Sequence, residues 1–92
     1  MALKERLDAD LETASRANDE VTVSVVRLLK SAIKYREIEL AKALEDAEIH
    51  GVIASEIKRR RDVIEQHRAG NRGDLAAREE AEIRVLQAWL PV

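Results

Sequence analysis

The 92 residues suffice for one small domain with a modest core. Cysteine is absent, which excludes a disulfide framework and thiolate chemistry. Sixteen basic against eighteen acidic residues exclude the overall basic excess of a dedicated nucleic-acid binder, so any nucleic-acid surface must be a local patch. Aromatics reduce to Tyr35 and Trp89, and the chain has one Pro and three Gly. A core of Leu, Ile, Val and Ala between long uninterrupted segments points to packed helices. The start, Met1-Ala2-Leu3-Lys4-Glu5, is charged and amphipathic, and no run approaches membrane-spanning length. These features describe a soluble, cytoplasmic, all-α protein with no membrane partner.

Leu3, Leu7, Leu11 and Ala14 place a first amphipathic helix over about Leu3–Ala17. Asn18-Asp19 breaks it, and Asp19 reads as the N-cap of the next helix. That second helix is expected over about Glu20–Ala43. Its opening, Val21-Thr22-Val23-Ser24-Val25-Val26, is β-branched enough to suggest a strand. The stripe of Val21, Val25, Leu28, Leu29, Ala32, Ile33 and Leu40 overrules that suggestion, because it holds one helical period for five turns. Glu45-Asp46-Ala47-Glu48 puts acidic groups where a helix start favours them. The third helix should then run over about Asp46–Ala69 and end at Gly70. Asn71-Arg72-Gly73 is a turn, and Asp74 is the expected cap of a fourth helix. That helix turns Leu75, Ile83, Leu86 and Leu90 inward and stops before Pro91. Short connections make neighbouring helices antiparallel, giving one four-helix bundle over residues 1–92.

Some polar residues fall on the apolar stripes. On the third helix Ile49, Val52, Ile53, Ile57, Val63 and Ile64 form an arc with Arg60 near its middle. Arg36 lies near mid-stripe on the second helix, and Glu39, Glu56, Glu79 and Glu82 lie on inward arcs. An isolated buried charge costs several kcal/mol or more, so Arg60 and Arg36 are each expected to pair with one of these glutamates. His67 also lies on the inward arc, as a structural histidine.

Little in the sequence supports catalysis. His50 and His67 are the only histidines, so no zinc-ligand spacing occurs and no metal or cofactor is expected. Gly70-Asn71-Arg72-Gly73 lacks the strand–loop–helix setting of a phosphate loop. Ser15, Ser24 and Ser31 have no histidine nearby in sequence. The outward basic residues are the stronger lead. Arg27, Lys30 and Lys34 form a ridge along the second helix, opposite its apolar stripe, where an RNA backbone could lie. Lys58, Arg59 and Arg61 form a second set on the third helix, diluted by Asp62 and Glu65 one turn on. Both rows also suit a solvated helix face. Ile38, which prolongs the first ridge outward, suits a protein contact or a homo-oligomer better than RNA.

Several stretches together resemble YqeY-like proteins. They are Leu3-Lys4-Glu5-Arg6-Leu7, Val26-Arg27-Leu28-Leu29-Lys30-Ser31-Ala32-Ile33-Lys34, and Glu37-Ile38-Glu39-Leu40. The likeness continues through Glu56-Ile57-Lys58-Arg59-Arg60-Arg61-Asp62-Val63-Ile64-Glu65-Gln66, Asp74-Leu75, and Glu79-Glu80-Ala81-Glu82-Ile83, to Leu86 through Pro91. That family is similar to the C-terminal tail of GatB, a subunit of the amidotransferases that convert Asp-tRNA or Glu-tRNA to the amide form. The resemblance implies an all-helical domain in contact with tRNA or an aminoacyl-tRNA complex. It does not bring the amidotransferase active site, so the glutamine-dependent carbon–nitrogen ligase activity that family naming attaches is not expected of these residues. Family members usually continue beyond the Leu-Pro into a second small helical subdomain, whereas this sequence ends at Val92. Glu45 stands where the family commonly has Ser or Thr, so the usual capping box of the third helix is altered.

Overall fold

Every turn between helices here is made by a residue other than glycine in the left-handed region. The computed structural model describes residues 2–91, folded as α1 (Leu3–Arg16), α2 (Glu20–Leu40), α3 (Asp46–Ala69) and α4 (Gly73–Gln87). Asn18, Ala41 and Asn71 have φ of 55°, 54° and 60°. At each, the following N–H bonds back across the last helical turn: Asp19 to the Ala14 carbonyl, Lys42 to Glu37, and Arg72 to His67. This 6→1 closure satisfies carbonyls that the helix end would otherwise leave open. Gly70, the expected stop of α3, keeps φ of −91°, and the left-handed residue is its neighbour Asn71.

The Val21–Val26 stretch is helical, as the apolar period requires, and no strand occurs among the described residues. Asp19 caps α2, its carboxylate accepting from the Thr22 N–H at 3.1 Å. Three boundaries differ from expectation, one being that of α4, which ends at Gln87 and does not run on to Leu90. α2 ends at Leu40 rather than Ala43, because Ala41 turns left-handed, and alanine gives no stop signal in a sequence. Asp74 is not the cap of α4: Arg72 holds that position, and Asp74 sits in the first turn. Its carboxyl is held below the ordinary carboxylate value by the Arg72 side chain and the Leu75 N–H.

Ion pairs show the chain direction. Lys4 pairs with Glu37 and Lys30 with Asp8, so α1 and α2 run antiparallel. Arg60 approaches Glu82 and Arg68 meets Glu80, which makes α3 and α4 a second antiparallel hairpin. Leu7, Val25, Val26, Leu29, Ile49, Ile53 and Leu86 are fully enclosed where the hairpins meet. Trp89 joins that core, with its indole N–H donating to Asp10 at 2.7 Å.

A polar knot closes one end of the bundle. The Glu37 carboxylate accepts from Lys4 and, at 2.7 Å, from the Leu44 N–H in the α2–α3 turn. Asp46 accepts from the Leu3 N–H at 3.2 Å and so supplies α1 with the cap that Ala2 lacks. Glu48 reaches back to the Glu45 N–H at 3.1 Å, keeping that half of a capping box although Glu45 is neither Ser nor Thr. The Lys4 ammonium, then the Leu44 N–H, hold the Glu37 carboxyl below its ordinary value.

Two outcomes are expected. Ala41→Gly should stabilise the protein by about 0.5–1 kcal/mol in chemical denaturation, by removing the Cβ penalty of the left-handed conformation. Glu37 has a folded pKa below its unfolded value near 4.5, so its contribution is present above that pH and is lost as pH falls through the lower folded value. Denaturation measured from neutral to acid pH should therefore give Glu37→Ala a shallower acid limb than wild type. The remaining slope belongs to Asp19, Glu48 and Asp74, which are lowered in the same direction.

Candidate nucleic-acid interface

The basic ridge of α2 is real as a helix face but not as a row of free charges. Arg27, Lys30 and Lys34 are all exposed. Lys30 is neutralised by Asp8 of α1, a partner 22 positions away that no local pattern reveals. Lys34 shares the α1–α2 groove with Lys30, Lys4, Asp8 and Glu37. Arg27 instead lines a separate groove with Arg78 of α4, beside Ser15, Asn18, Glu20 and Ser24. Among the described residues, neither Arg27 nor Arg78 has a carboxylate within ion-pair distance. Arg78 is the residue that sequence reading missed. Its only signal there was being one of two arginines in an otherwise acidic helix.

The second basic set lies elsewhere. Lys58, Arg59 and Arg61 are exposed on α3. Arg59 stands 3.8 Å from Glu56 and lines the α2–α3 groove. Arg61 faces a shallow groove with Arg84, next to the Arg68–Glu80 pair. The α2 set and the α3 set line different grooves.

Among the stripe residues, Arg60 is 13% exposed and bonds the Glu56 carboxylate at 3.1 Å, with its Nε 3.6 Å from Glu82. That Nε is buried without a hydrogen bond, so the contact to Glu82 is coulombic only. Glu79 meets His67 at 3.2 Å rather than an arginine. Arg36 pairs with Glu39 at 3.6 Å, one of the expected glutamates, but both side chains are exposed and do not face inward as expected. The helical period is right, but the last turns of α2 diverge from α3 and leave an open groove of about 670 Å³ along this arc. Its lining includes Tyr35, Arg36, Leu40, Val52 and Ser55, and no histidine. No group of three or more His, Asp or Glu side chains is arranged to hold a metal ion among the described residues. Among the described residues no helix is long and apolar enough to cross a membrane.

The fold and these groups can be set beside known proteins. A model of the family described as Yqey-like protein matches residues 4–92. This chain belongs to the YqeY-like family. Relatives named "Altered inheritance of mitochondria protein 41, mitochondrial" extend the likeness. That of Lachancea thermotolerans is 36% identical over 85 residues, covering 91% of this chain and 46% of the relative. Those of Vanderwaltozyma polyspora and Saccharomyces cerevisiae are 32% identical over the same span and coverage. This YqeY-like chain thus spans about half the length of the curated relatives it matches.

Burial separates two adjacent arginines in a way a melt can read. Arg60→Ala leaves Glu82, 14% exposed, without its cation and Glu56, equally enclosed, with only the exposed Arg59 at 3.8 Å, and should cost about 3 kcal/mol. Arg59→Ala, at 75% exposure, should stay within about 0.5 kcal/mol of wild type. Thermal unfolding of the two variants makes the comparison, and equal losses would contradict the role given to Arg60.

Proposed function

We propose that this domain is a non-catalytic accessory module that contacts RNA, with tRNA or an aminoacyl-tRNA complex as the partner. The observation that carries this is the groove that Arg27 of α2 and Arg78 of α4 line together, neither of them in an ion pair among the described residues and Glu20 the one acidic residue of its lining. Two guanidinium groups on one open surface favour an anion between them, and a phosphodiester fits their fork geometry. The Ser15 and Ser24 hydroxyls and the Asn18 amide along the groove add neutral donors of the kind that accompany phosphate contacts. Likeness to the GatB tail supports tRNA over other RNA. Carbon–nitrogen ligase activity is not part of the proposal, since the resemblance does not bring the amidotransferase active site. The setting proposed is cytoplasmic, while the fungal relatives carry a mitochondrial location in their names. A second reading, protein contact, is favoured by the exposed apolar side chains of α2.

Filter binding with bulk tRNA over a salt series tests the RNA reading. Affinity should fall steeply with salt, and Arg27→Ala with Arg78→Ala should reduce the log–log slope by about 1–2. Arg61→Ala with Arg84→Ala removes the same charge from another face and should change affinity less. Lys30→Ala combined with Asp8→Ala removes a neutral pair, leaves the net charge unchanged and should bind nearly as wild type. Absence of binding at low salt would end the proposal.

A further inference from the structure

The most exposed large apolar side chains of the described residues all belong to α2: Leu28 at 54%, Tyr35 and Ile38 each at 70%, and Leu40 at 40%. Leu40 lines the α2–α3 groove. Leu28, Tyr35 and Ile38 lie on a different line, with Ser31 between the first two, and Tyr35 also borders the α2–α3 groove. The steps 28–31–35–38 alternate three and four, the spacing of a coiled-coil seam. At about 100° per residue this line runs down the side of α2 away from its buried residues Val25, Val26, Leu29 and Ile33. An apolar strip of this kind on an otherwise charged helix marks a contact surface.

We propose that this strip is the seam of a parallel homodimer formed by α2 of two copies. The charges beside it select a second copy over any other apolar partner. Lys34 occupies the flank just before Tyr35, and Glu39 the flank just after Ile38. In a parallel two-stranded pair, a residue on the first flank meets the residue five positions on in the other copy. Lys34 therefore faces Glu39 of the second copy, and the two-fold axis repeats the pair. Both residues are available for it. Among the described residues of the monomer, Lys34 has no carboxylate within ion-pair distance, in contrast to Lys4, Lys30 and Lys42. Glu39 has only Arg36, 3.6 Å away, with both side chains more than half exposed. Arg27, on the flank one heptad earlier, meets Ala32 and is not opposed by a like charge. Ser31 is the one polar seam position, and its hydroxyl faces its own counterpart. The seam is three turns long, so the dimer dissociates on dilution and does not resemble an obligate interface. Leu28 also lines the Arg27–Arg78 groove, so the seam borders that groove, but the seam does not depend on the RNA reading.

Sedimentation equilibrium of the full chain from about 1 µM to 1 mM tests the seam, with a concentration-dependent monomer–dimer equilibrium expected. Ile38→Ser should be monomeric with unchanged helicity by circular dichroism, since that side chain is 70% exposed and takes no part in the core. Lys34→Glu should weaken association by about tenfold or more, by setting two carboxylates against each other. Lys34→Glu combined with Glu39→Lys should restore it. A chain that stays monomeric throughout, a dimer indifferent to Ile38→Ser, or a double exchange that fails to restore association would each overturn the proposal. Binding of tRNA by Ile38→Ser reports on the RNA reading alone, so either idea can fail without the other.

Discussion

The Glu37 carboxylate is the contact on which the relative placement of three elements depends. It projects from the last turns of α2, takes the Lys4 ammonium of α1 and holds the Leu44 N–H of the α2–α3 turn. The turn itself departs through left-handed Ala41, whose direction would be unsupported without that anchor. Leu44 is thereby fixed in the core, and Asp46, two residues on, is brought under the start of α1. One side chain thus couples the register of α1 to the entry of α3. Charge-assisted bonds of this kind are stronger than neutral ones and suit a job of position more than of bulk stability.

The helices were legible because apolar period over several turns is a strong signal and propensity a weak one. Val21–Val26 shows this: six residues rich in β-branched side chains form helix because the stripe of α2 continues through them. The stops were less legible. Asn18 and Asn71 tolerate the left-handed region and sit in polar breaks, but Ala41 is a strong helix former and still ends α2. Its conformation is imposed by the Glu37 anchor and the backbone closure, which are tertiary facts. Arg36 illustrates a second limit. Periodicity tells which arc of a helix a residue occupies, but not whether another element covers that arc, and here the α2–α3 groove leaves it open.

Charge was legible as a pattern and illegible as a field. Arg27, Lys30 and Lys34 read as one ridge, yet Asp8 comes from another helix to cancel its middle member. Arg78 could not be added to Arg27 without knowing that α4 crosses α2 at that place. Arg60 was more tractable, because Glu56 one turn earlier is local while only Glu82 needed the fold. Family membership follows from the ordered likeness across residues 4–92, and it carries the helical architecture further than it carries a ligand.

Trp89 has a use that its packing does not advertise. It is the only tryptophan, buried at 4%, and its indole N–H bonds Asp10 across 79 positions of sequence. Arg6 reinforces the same closure through the Ala88 carbonyl at 3.0 Å. The two helical hairpins can form from nearby contacts, whereas this contact needs the two ends of the chain together. The natural fluorophore therefore watches the longest-range step of assembly. Its emission is a built-in clock for when the first helix finds the tail of the last.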